Sequence, residues 1–431
     1  MARRLDARAP DFAAQFSALI SAKRETEEDV ATVVRDIIAD VRGRGDAALL
    51  ELTDKFDRVS LTAQTLRLSD AEIADAEAQC GEDALVALDI AAKRIETYHR
   101  RQLPKDDRFV DDTGATLGWR WTPLDSVGLY VPGGTASYPS SVLMNAVPAR
   151  VAGVARVAMV TPASGGKINP LVLAAAKRAG VTEIYKVGGA QAVAALAHGT
   201  TSIAAVDKIV GPGNAYVAAA KREVFGMVGI DSVAGPSEIL IVADNKNNPD
   251  WIAADLLSQA EHDTSSQSIL ITDDADFAAK VEAAVEHALA LLPRKAIAGA
   301  SWKNNGGVIV VARLVDAAPL VNRIAPEHLE IATEKPDELL KLVKHAGAIF
   351  LGRNTPEAMG DYIAGPNHVL PTARTARFSS GLSVLDFMKR TTLLSCETKT
   401  INAIGPAAIA LAEAEGLDAH ARSIAVRLNR P

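Results

Sequence analysis

Gln259 and His262 stand three residues apart in Asp255-Leu256-Leu257-Ser258-Gln259-Ala260-Glu261-His262-Asp263, and their types can share a metal ion. Leu256, Leu257 and Ala260 fall at helical spacing and would bury one face, leaving Gln259 and His262 to project together from the neighbouring one. An imidazole nitrogen suits zinc, whereas an amide oxygen is a harder and rarer ligand. On its own the pair is more simply a polar helix face ending in a solvated His-Asp. Glu327-His328, within Ile324-Ala325-Pro326-Glu327-His328-Leu329-Glu330, sets a carboxylate beside an imidazole just after a proline. Adjacent residues do not share a helix face, so these two can address different atoms of one substrate only at the end of an element. Imidazole titrates near neutrality and burial moves a glutamate towards it, which is what general acid–base chemistry needs. A helix start with Glu in its first turn accounts for the same residues. Asp361 and His368 occupy a Gly/Pro-rich stretch, and Glu415 and His420 lie in Glu415-Gly416-Leu417-Asp418-Ala419-His420. His99, His198, His287 and His345 sit in helical or apolar contexts and read as structural.

These groups need elements to hold them, and the chain supplies two series. A strand over 127–131 ends at Pro132-Gly133-Gly134. Helical stretches over 141–152, 170–179 and 190–197 then alternate with strand-like runs at 157–160, 184–187 and 208–210. This is the signature of parallel strands with crossover helices. Glycines end three strands, in Gly133-Gly134, Gly188-Gly189 and Gly211-Pro212-Gly213. Ligands of an open parallel sheet bind beyond its carboxyl ends, so nucleotide binding is a natural use of this unit. The G-x-G-x-x-G fingerprint is absent, however, and a tight turn explains each glycine pair singly. After Gly235-Pro236-Ser237-Glu238 the pattern begins again, with strands at 239–243, 268–271, 307–311 and 348–351 around the Gln259 helix and a long helix over 275–292. The expected fold class is α/β, with two Rossmann-like parallel sheets in tandem.

The first 24 residues show neither a strand nor a convincingly capped helix and read as an arm. From Thr26, the residues Val30, Val33, Val34, Ile37, Ile38 and Val41 keep helical period, a second helix covers 47–56, and Ser69-Asp70-Ala71-Glu72 opens a third that continues to about residue 101. With no strand left over, these helices must pad one of the sheets. Beyond about Gly381 the chain turns helical and polar. The expected organisation is an arm over 1–24, one domain over 25–126 and 239–380, a second over 127–238, and a C-terminal arm over 381–431. Arms at both ends favour an intertwined oligomer.

Composition narrows the function. At 431 residues, 48% apolar and 4% aromatic, the chain exceeds one ordinary core. A net charge of -7, with mixed signs, supplies no basic surface for nucleic acid and no polybasic membrane patch. Only Cys80 and Cys396 are present, too few for a disulfide framework, and no apolar run reaches membrane-spanning length, so a cytoplasmic protein acting on a small molecule is expected.

Nearly the whole chain resembles the histidinol dehydrogenase family. The resemblance rests on Val127-Gly128-Leu129-Tyr130-Val131-Pro132-Gly133-Gly134, Val187-Gly188-Gly189-Ala190-Gln191, Gly211-Pro212-Gly213-Asn214, Ala234-Gly235-Pro236-Ser237-Glu238, the Gln259/His262 helix, the Glu327-His328 segment, Gly360-Asp361-Tyr362, Asn367-His368-Val369-Leu370-Pro371 and the Glu415 to His420 stretch. It implies an aldehyde dehydrogenase-like architecture in which 127–238 binds NAD and the other domain holds zinc. It also implies four-electron oxidation of L-histidinol to L-histidine through histidinal, with one hydride passing to each of two NAD+. Zinc, one per subunit, would be bound by Gln259, His262, Asp361 and His420, with Glu327 and His328 as the catalytic pair. Tyr130, Gln191 and Asn214 would contact NAD. Ser237, His368 and Glu415 would face the substrate, which Gln259, His262, His328, Asp361 and His420 would also touch. The resemblance further implies a homodimer with shared sites. A paralogue oxidising another small amino alcohol or polyol is the alternative, and Glu415 and His368, suited to a cationic amine and an imidazole, argue for histidinol.

The chemistry of the residues agrees with these roles. Hydride leaves a carbinol carbon only as its hydroxyl loses a proton, and His328 is a base of suitable pKa for both oxidations. Glu327 can activate the water that hydrates the aldehyde. Neither cysteine lies in a motif, so no thiohemiacetal route is expected.

Overall fold

The computed structural model describes residues 2–22, 30–133, 138–233 and 235–429. Thr26, Gly134 and Ala234, each part of a segment singled out above, lie outside the described residues. In chain order the strands are β1 (Arg3–Asp6), β2 (Asp107–Val110), β3 (Thr116–Pro123), β4 (Ser126–Tyr130), β5 (Arg156–Val160), β6 (Glu183–Tyr185), β7 (Lys208–Val210) and β8 (Gly229–Ile230). They continue with β9 (Glu238–Ala243), β10 (Gln267–Thr272), β11 (Gly307–Val310), β12 (His328–Ala332), β13 (Ala348–Leu351) and β14 (Met388–Ser395). Five form a parallel sheet in the order β6-β5-β4-β7-β8, and six form a second parallel sheet in the order β1-β11-β10-β9-β12-β13. The two tandem sheets expected from the β-α alternation are therefore present. Both β9 (EILIVA) and β10 (QSILIT) are buried along their whole length, as strands covered on both faces must be.

The N-terminal helices pad the five-stranded sheet, which corrects the grouping of 25–126 with the later domain. Val34, Ile37, Ile38 and Val41 of helix Ala31–Arg44 pack into one cluster with Val193, Leu196 and Val217. Leu88, Ala91 and Ile95 of helix Glu82–Arg100 join Leu143, Val147 and Leu173 in another. The stretch opened by Ser69 is two helices: Asp70–Glu77 carries the capping box, and an extended Gly81 breaks the path before Glu82–Arg100.

Both arms also need correction. Within residues 2–22, β1 pairs in parallel with β11, and Phe16 and Leu19 of helix Phe12–Ser21 are buried with Leu240, Ile269 and Ile309. The C-terminal segment is not all helix. Leu382, Val384 and Phe387 enter the core beside the five-stranded sheet, and β14 pairs antiparallel with β3, which pairs with β2. Helices Thr398–Ala414 and Asp418–Ala425 follow this antiparallel ribbon.

Chain connection sets the two parallel sheets edge to edge. Residues 231–237 carry the chain from the carboxyl end of β8 to the amino end of β9. The carboxyl ends of the five-stranded sheet thus lie on the same side as the amino ends of the six-stranded one. Gly235 N–H donates to Thr372 Oγ1 at 2.6 Å, Asn367 Nδ2 donates to the Met144 carbonyl at 2.5 Å, and His368 Nε2 lies 3.3 Å from Ser141 Oγ. The last two contacts join the segment after β13 to helix Pro139–Ala152 of the five-stranded unit.

Candidate active site

Glu327 and His328 stand where β12 begins, and the register places His328 opposite Ile239, one residue into β9. A strand rather than a helix therefore follows the proline. Glu327 and Glu238 bracket one another: Glu238 N–H donates to Glu327 Oε2 at 2.9 Å, and Glu327 N–H donates to Glu238 Oε2 at 3.3 Å. His328 Nδ1 lies 3.0 Å from the Glu238 carbonyl oxygen, a partner that can only accept, so Nδ1 carries a proton. The other nitrogen is then the working one. His328 Nε2 faces Asp361 Oδ1 at 3.4 Å and Glu357 Oε1 at 3.9 Å, is buried, and makes no hydrogen bond.

Gln259 arrives from the last turn of helix Pro249–Ala260, which Asn248 caps and Pro249 opens. Leu256, Leu257 and Ala260 bury the face expected of them, and Ser268 Oγ ties the helix to β10 through the Leu256 carbonyl at 2.7 Å. Gln259 is 1% exposed, its Nε2 lies 3.5 Å from His328 Nδ1, and its Oε1 has no partner. His262 sits just past the helix end, its N–H donating to the Gln259 carbonyl at 3.2 Å. Its ring keeps a solvent-open side, yet the surrounding protein still pushes its pKa down by desolvation, against the pull of the Asp361 charge. Asp361 belongs to the short helix Glu357–Tyr362, and its carbonyl holds His368 Nδ1 at 2.9 Å.

Burial dominates the electrostatics of this edge. It pushes the Glu327 carboxyl up to about 7, with His328 opposing. Burial would depress His328, but Glu327, Asp361 and Glu357 together raise it to about 10. Burial also pushes the Asp361 carboxyl up, and His328 more than offsets this, so Asp361 stays below the usual carboxylate range. Glu357 and Glu330 are both raised, by burial first and then by Asp361 and Asp255 respectively. Such an acidic pocket, with an orphaned amide oxygen and an orphaned imidazole nitrogen, is suited to a cation. His328, Glu357 and Asp361 present ligand atoms all within 4.8 Å of one another.

Reading along the chain missed Glu238, Glu330 and Glu357 as members of this site. Two signals were present. Glu330 follows His328 by two and so shares its face of a strand, while Leu329 and Ile331 enter the core on the other. Glu357 precedes Asp361 by four and so shares its side of a helix.

The facing edge is built differently. Tyr130 ends β4; its hydroxyl accepts the Gly189 N–H at 3.0 Å, and burial pushes the phenol up to about 12. Gln191 lies in the first turn of helix Gly189–His198, 1% exposed, with Nε2 unpartnered. Asn214 caps helix Ala215–Val224, its Oδ1 accepting the Val217 N–H at 3.1 Å. All three stand at carboxyl ends of the five-stranded sheet. The glycines there serve close packing: a Cβ on Gly188 would lie 2.6 Å from Pro162 Cβ, and one on Gly211, at φ +107°, would lie 2.1 Å from the Tyr130 carbonyl oxygen.

Ser237 precedes β9, at the amino edge of the six-stranded sheet, where its carbonyl accepts the Gln267 N–H at 2.9 Å. Glu415 and His420 are not brought to this cluster by their own chain. They are exposed, on a helical pair that packs chiefly on itself and on Val426–Leu428. Among the described residues, no hydrogen bond or ion pair joins either one to Asp361 or His262. At the opposite edge of the six-stranded sheet a cleft of about 270 Å³ lies against Asp244 and Thr333, but Asp244 is already occupied by Arg353 at 2.5 Å and by backbone N–H groups.

A sequence-family model described as Histidinol dehydrogenase matches residues 20–428. The chain is 65% identical to the histidinol dehydrogenase of Bradyrhizobium diazoefficiens, over 99% of each chain. It is 62% identical to that of Rhodopseudomonas palustris, over 100% of each. The crystal structure of histidinol dehydrogenase from Elizabethkingia anophelis superposes with a TM-score of 0.95 at 38% identity, covering 99% of this chain and 98% of that one.

Proposed function

The chain belongs to the histidinol dehydrogenase family, and from that premise we propose that it oxidises L-histidinol to L-histidine through histidinal, passing one hydride to each of two NAD+. The observation that carries this reading is the buried pair of unpartnered atoms, His328 Nε2 and Gln259 Oε1, gathered beside Asp361 at one edge of the six-stranded sheet. With its Nδ1–H held on the Glu238 carbonyl, the imidazole aims Nε2 into the site; the carboxylates raise it to about 10, and a cation bound at Asp361 would offset that charge and free Nε2 to take a proton.

In the first oxidation His328 takes the hydroxyl proton of the alcohol as hydride leaves the carbinol carbon. Glu327, a carboxyl balanced near neutrality by burial, takes a proton from the water that adds to the aldehyde, while protonated His328 returns its proton to the aldehyde oxygen, which gives the hydrate and a free imidazole. His328 then takes the hydroxyl proton of the resulting hydrate as the second hydride leaves, giving the carboxylic acid. Ser237 and His368 would face the substrate. The orphaned amide, His262 and Asp361 fit one zinc ion per subunit, completed by His420 of the partner subunit; bound there, the ion would orient the amine and imidazole of the substrate. Tyr130, Gln191 and Asn214 form the surface that NAD would meet, and the unpartnered Gln191 Nε2 supplies it with a donor.

Exposed Phe109, Val110, Leu394 and Leu411 on the antiparallel ribbon and the C-terminal helices support a homodimer in which this arm crosses to a second copy. Glu415 and His420 then complete the partner's site. No described helix is long and apolar enough to cross a membrane, and both cysteines are free thiols. We place the enzyme in the cytoplasm. The test supplies purified protein with L-histidinol and NAD+, before and after exhaustive chelation. L-histidine should form, cease to form on chelation, and return with zinc; full activity in the chelated protein would refute the metal reading.

A further inference from the structure

Gly211, at the carboxyl end of β7, has both backbone groups captured by one buried ion pair. Its N–H donates to Asp231 Oδ2 at 2.8 Å, and its carbonyl accepts from Lys221 Nζ at 2.9 Å. Lys221 Nζ also hydrogen-bonds Asp231 Oδ1, and both side chains are 4% exposed. Lys221 comes from the second turn of helix Ala215–Val224, and Asp231 from just beyond β8. Two separate elements thus close on one glycine.

That glycine touches one of the residues assigned to NAD and stands three before another. Its α-carbon is seated so tightly on Tyr130 that an added Cβ would lie 2.1 Å from the Tyr130 carbonyl oxygen. Three residues on, Asn214 caps the helix that carries Lys221. A buried ion pair gains little over an apolar pair of the same volume, and its better-supported use is to hold one arrangement against its alternatives. A loop held only by its own turn would keep neither Gly211 against Tyr130 nor the Asn214 amide at a fixed height above the sheet.

We propose that Lys221 and Asp231 are positioning residues for the dinucleotide, a clamp that sets the 211–214 loop and through it the Tyr130 and Asn214 contacts. The proposal rests on NAD binding at the five-stranded sheet. Neither residue touches the substrate edge, so the effect should fall on the cofactor alone. The neutral double variant Lys221→Met/Asp231→Leu removes both grips without leaving a buried charge. Lys221→Met/Asp231→Asn restores one, because an amide oxygen can still accept the Gly211 N–H.

The experiment measures KM for NAD+, KM for L-histidinol, kcat and thermal midpoint for the wild type and both variants, with NAD+ binding titrated separately without substrate. Losing two positioning hydrogen bonds should raise KM and Kd for NAD+ about tenfold in the Met/Leu protein, with a smaller rise in the Met/Asn protein. KM for L-histidinol should stay as in the wild type. A folded Met/Leu protein with wild-type KM for NAD+ overturns the clamp, as does an equal rise in both KM values. Should the Met/Leu chain not fold, the Met/Asn protein decides by the same criterion. A wild type that oxidises L-histidinol without binding NAD+ defeats the cofactor reading first, and the clamp with it.

Discussion

The carboxyl edge of the five-stranded sheet and the amino edge of the six-stranded sheet face one another and are made of opposite materials. The first is backbone, glycine, a phenol and two neutral amides, with the buried Lys221–Asp231 pair turned inward on Gly211 and the Asp57 carboxyl, pushed up by burial, beside Gly188. The second buries Glu238, Glu327, Glu330 and Glu357 beside the His328 imidazole. A neutral, rigid edge suits a large ligand that must dock in one pose and leave again. An acidic edge with orphaned atoms suits groups that exchange protons or hold a cation. On the proposed function, cofactor and chemistry divide along the kind of group each sheet end carries.

The largest effect should come from breaking the acidic edge at its centre. His328→Ala is expected to lower kcat by about 10²–10⁴-fold in both oxidations while leaving Kd for NAD+ unchanged. Asn214→Ala, on the neutral edge, should do the reverse and raise KM for NAD+ by about tenfold with a smaller change in kcat. Steady-state kinetics with each half-reaction measured separately decides; equal losses in kcat from both variants would dissolve the contrast.

A second break concerns which chain completes the acidic edge. His262→Ala and His420→Ala homodimers should each be nearly inactive, and mixing them with subunit exchange should restore part of the activity. One site of a mixed dimer then carries both substitutions and the other neither. Mixed dimers as inactive as the parents would assign His420 to its own chain.

A smaller effect sharpens the role of Glu327. Its carboxyl is raised to about 7, so it keeps its proton below that pH and acts as a base only above it. The ratio of histidinal oxidation to histidinol oxidation should therefore rise with pH through about 7, because His328 serves both steps and its own titration cancels. Glu327→Gln should flatten that ratio and spare the alcohol step more than the aldehyde step. A wild-type ratio that stays flat from about pH 5 to 8 would remove Glu327 from the hydration step.

Much of both edges was legible along the chain, for reasons that differ between them. The Gln259 helix could be read because Leu256, Leu257 and Ala260 bury one face at helical spacing and Pro249 opens it. The central strands of both sheets could be read where they are continuous apolar runs, as in β9 and β10. β1 was not, since only Leu5 of Arg3-Arg4-Leu5-Asp6 is buried in what is a charged edge strand. β14 was hidden similarly, its residues half-buried or exposed along a ribbon that leaves the main body. β12 begins with the site itself: His328 and Glu330 put charge where a strand pattern would show apolar residues, so chemistry masked the element. Glycines after β4, β6 and β7 mark the carboxyl ends of the five-stranded sheet, yet Gly188 and Gly211 are there for close contacts with Pro162 and Tyr130, which spacing alone does not separate from a ligand's need for room.

The central claim is that one acidic edge performs both oxidations without letting the aldehyde go. The most direct measurement counts NADH formed per L-histidine, with a carbonyl trap present in solution. The account predicts two NADH for each histidine and no trapped histidinal; one NADH per histidinol consumed, with aldehyde collected in the trap, would contradict it.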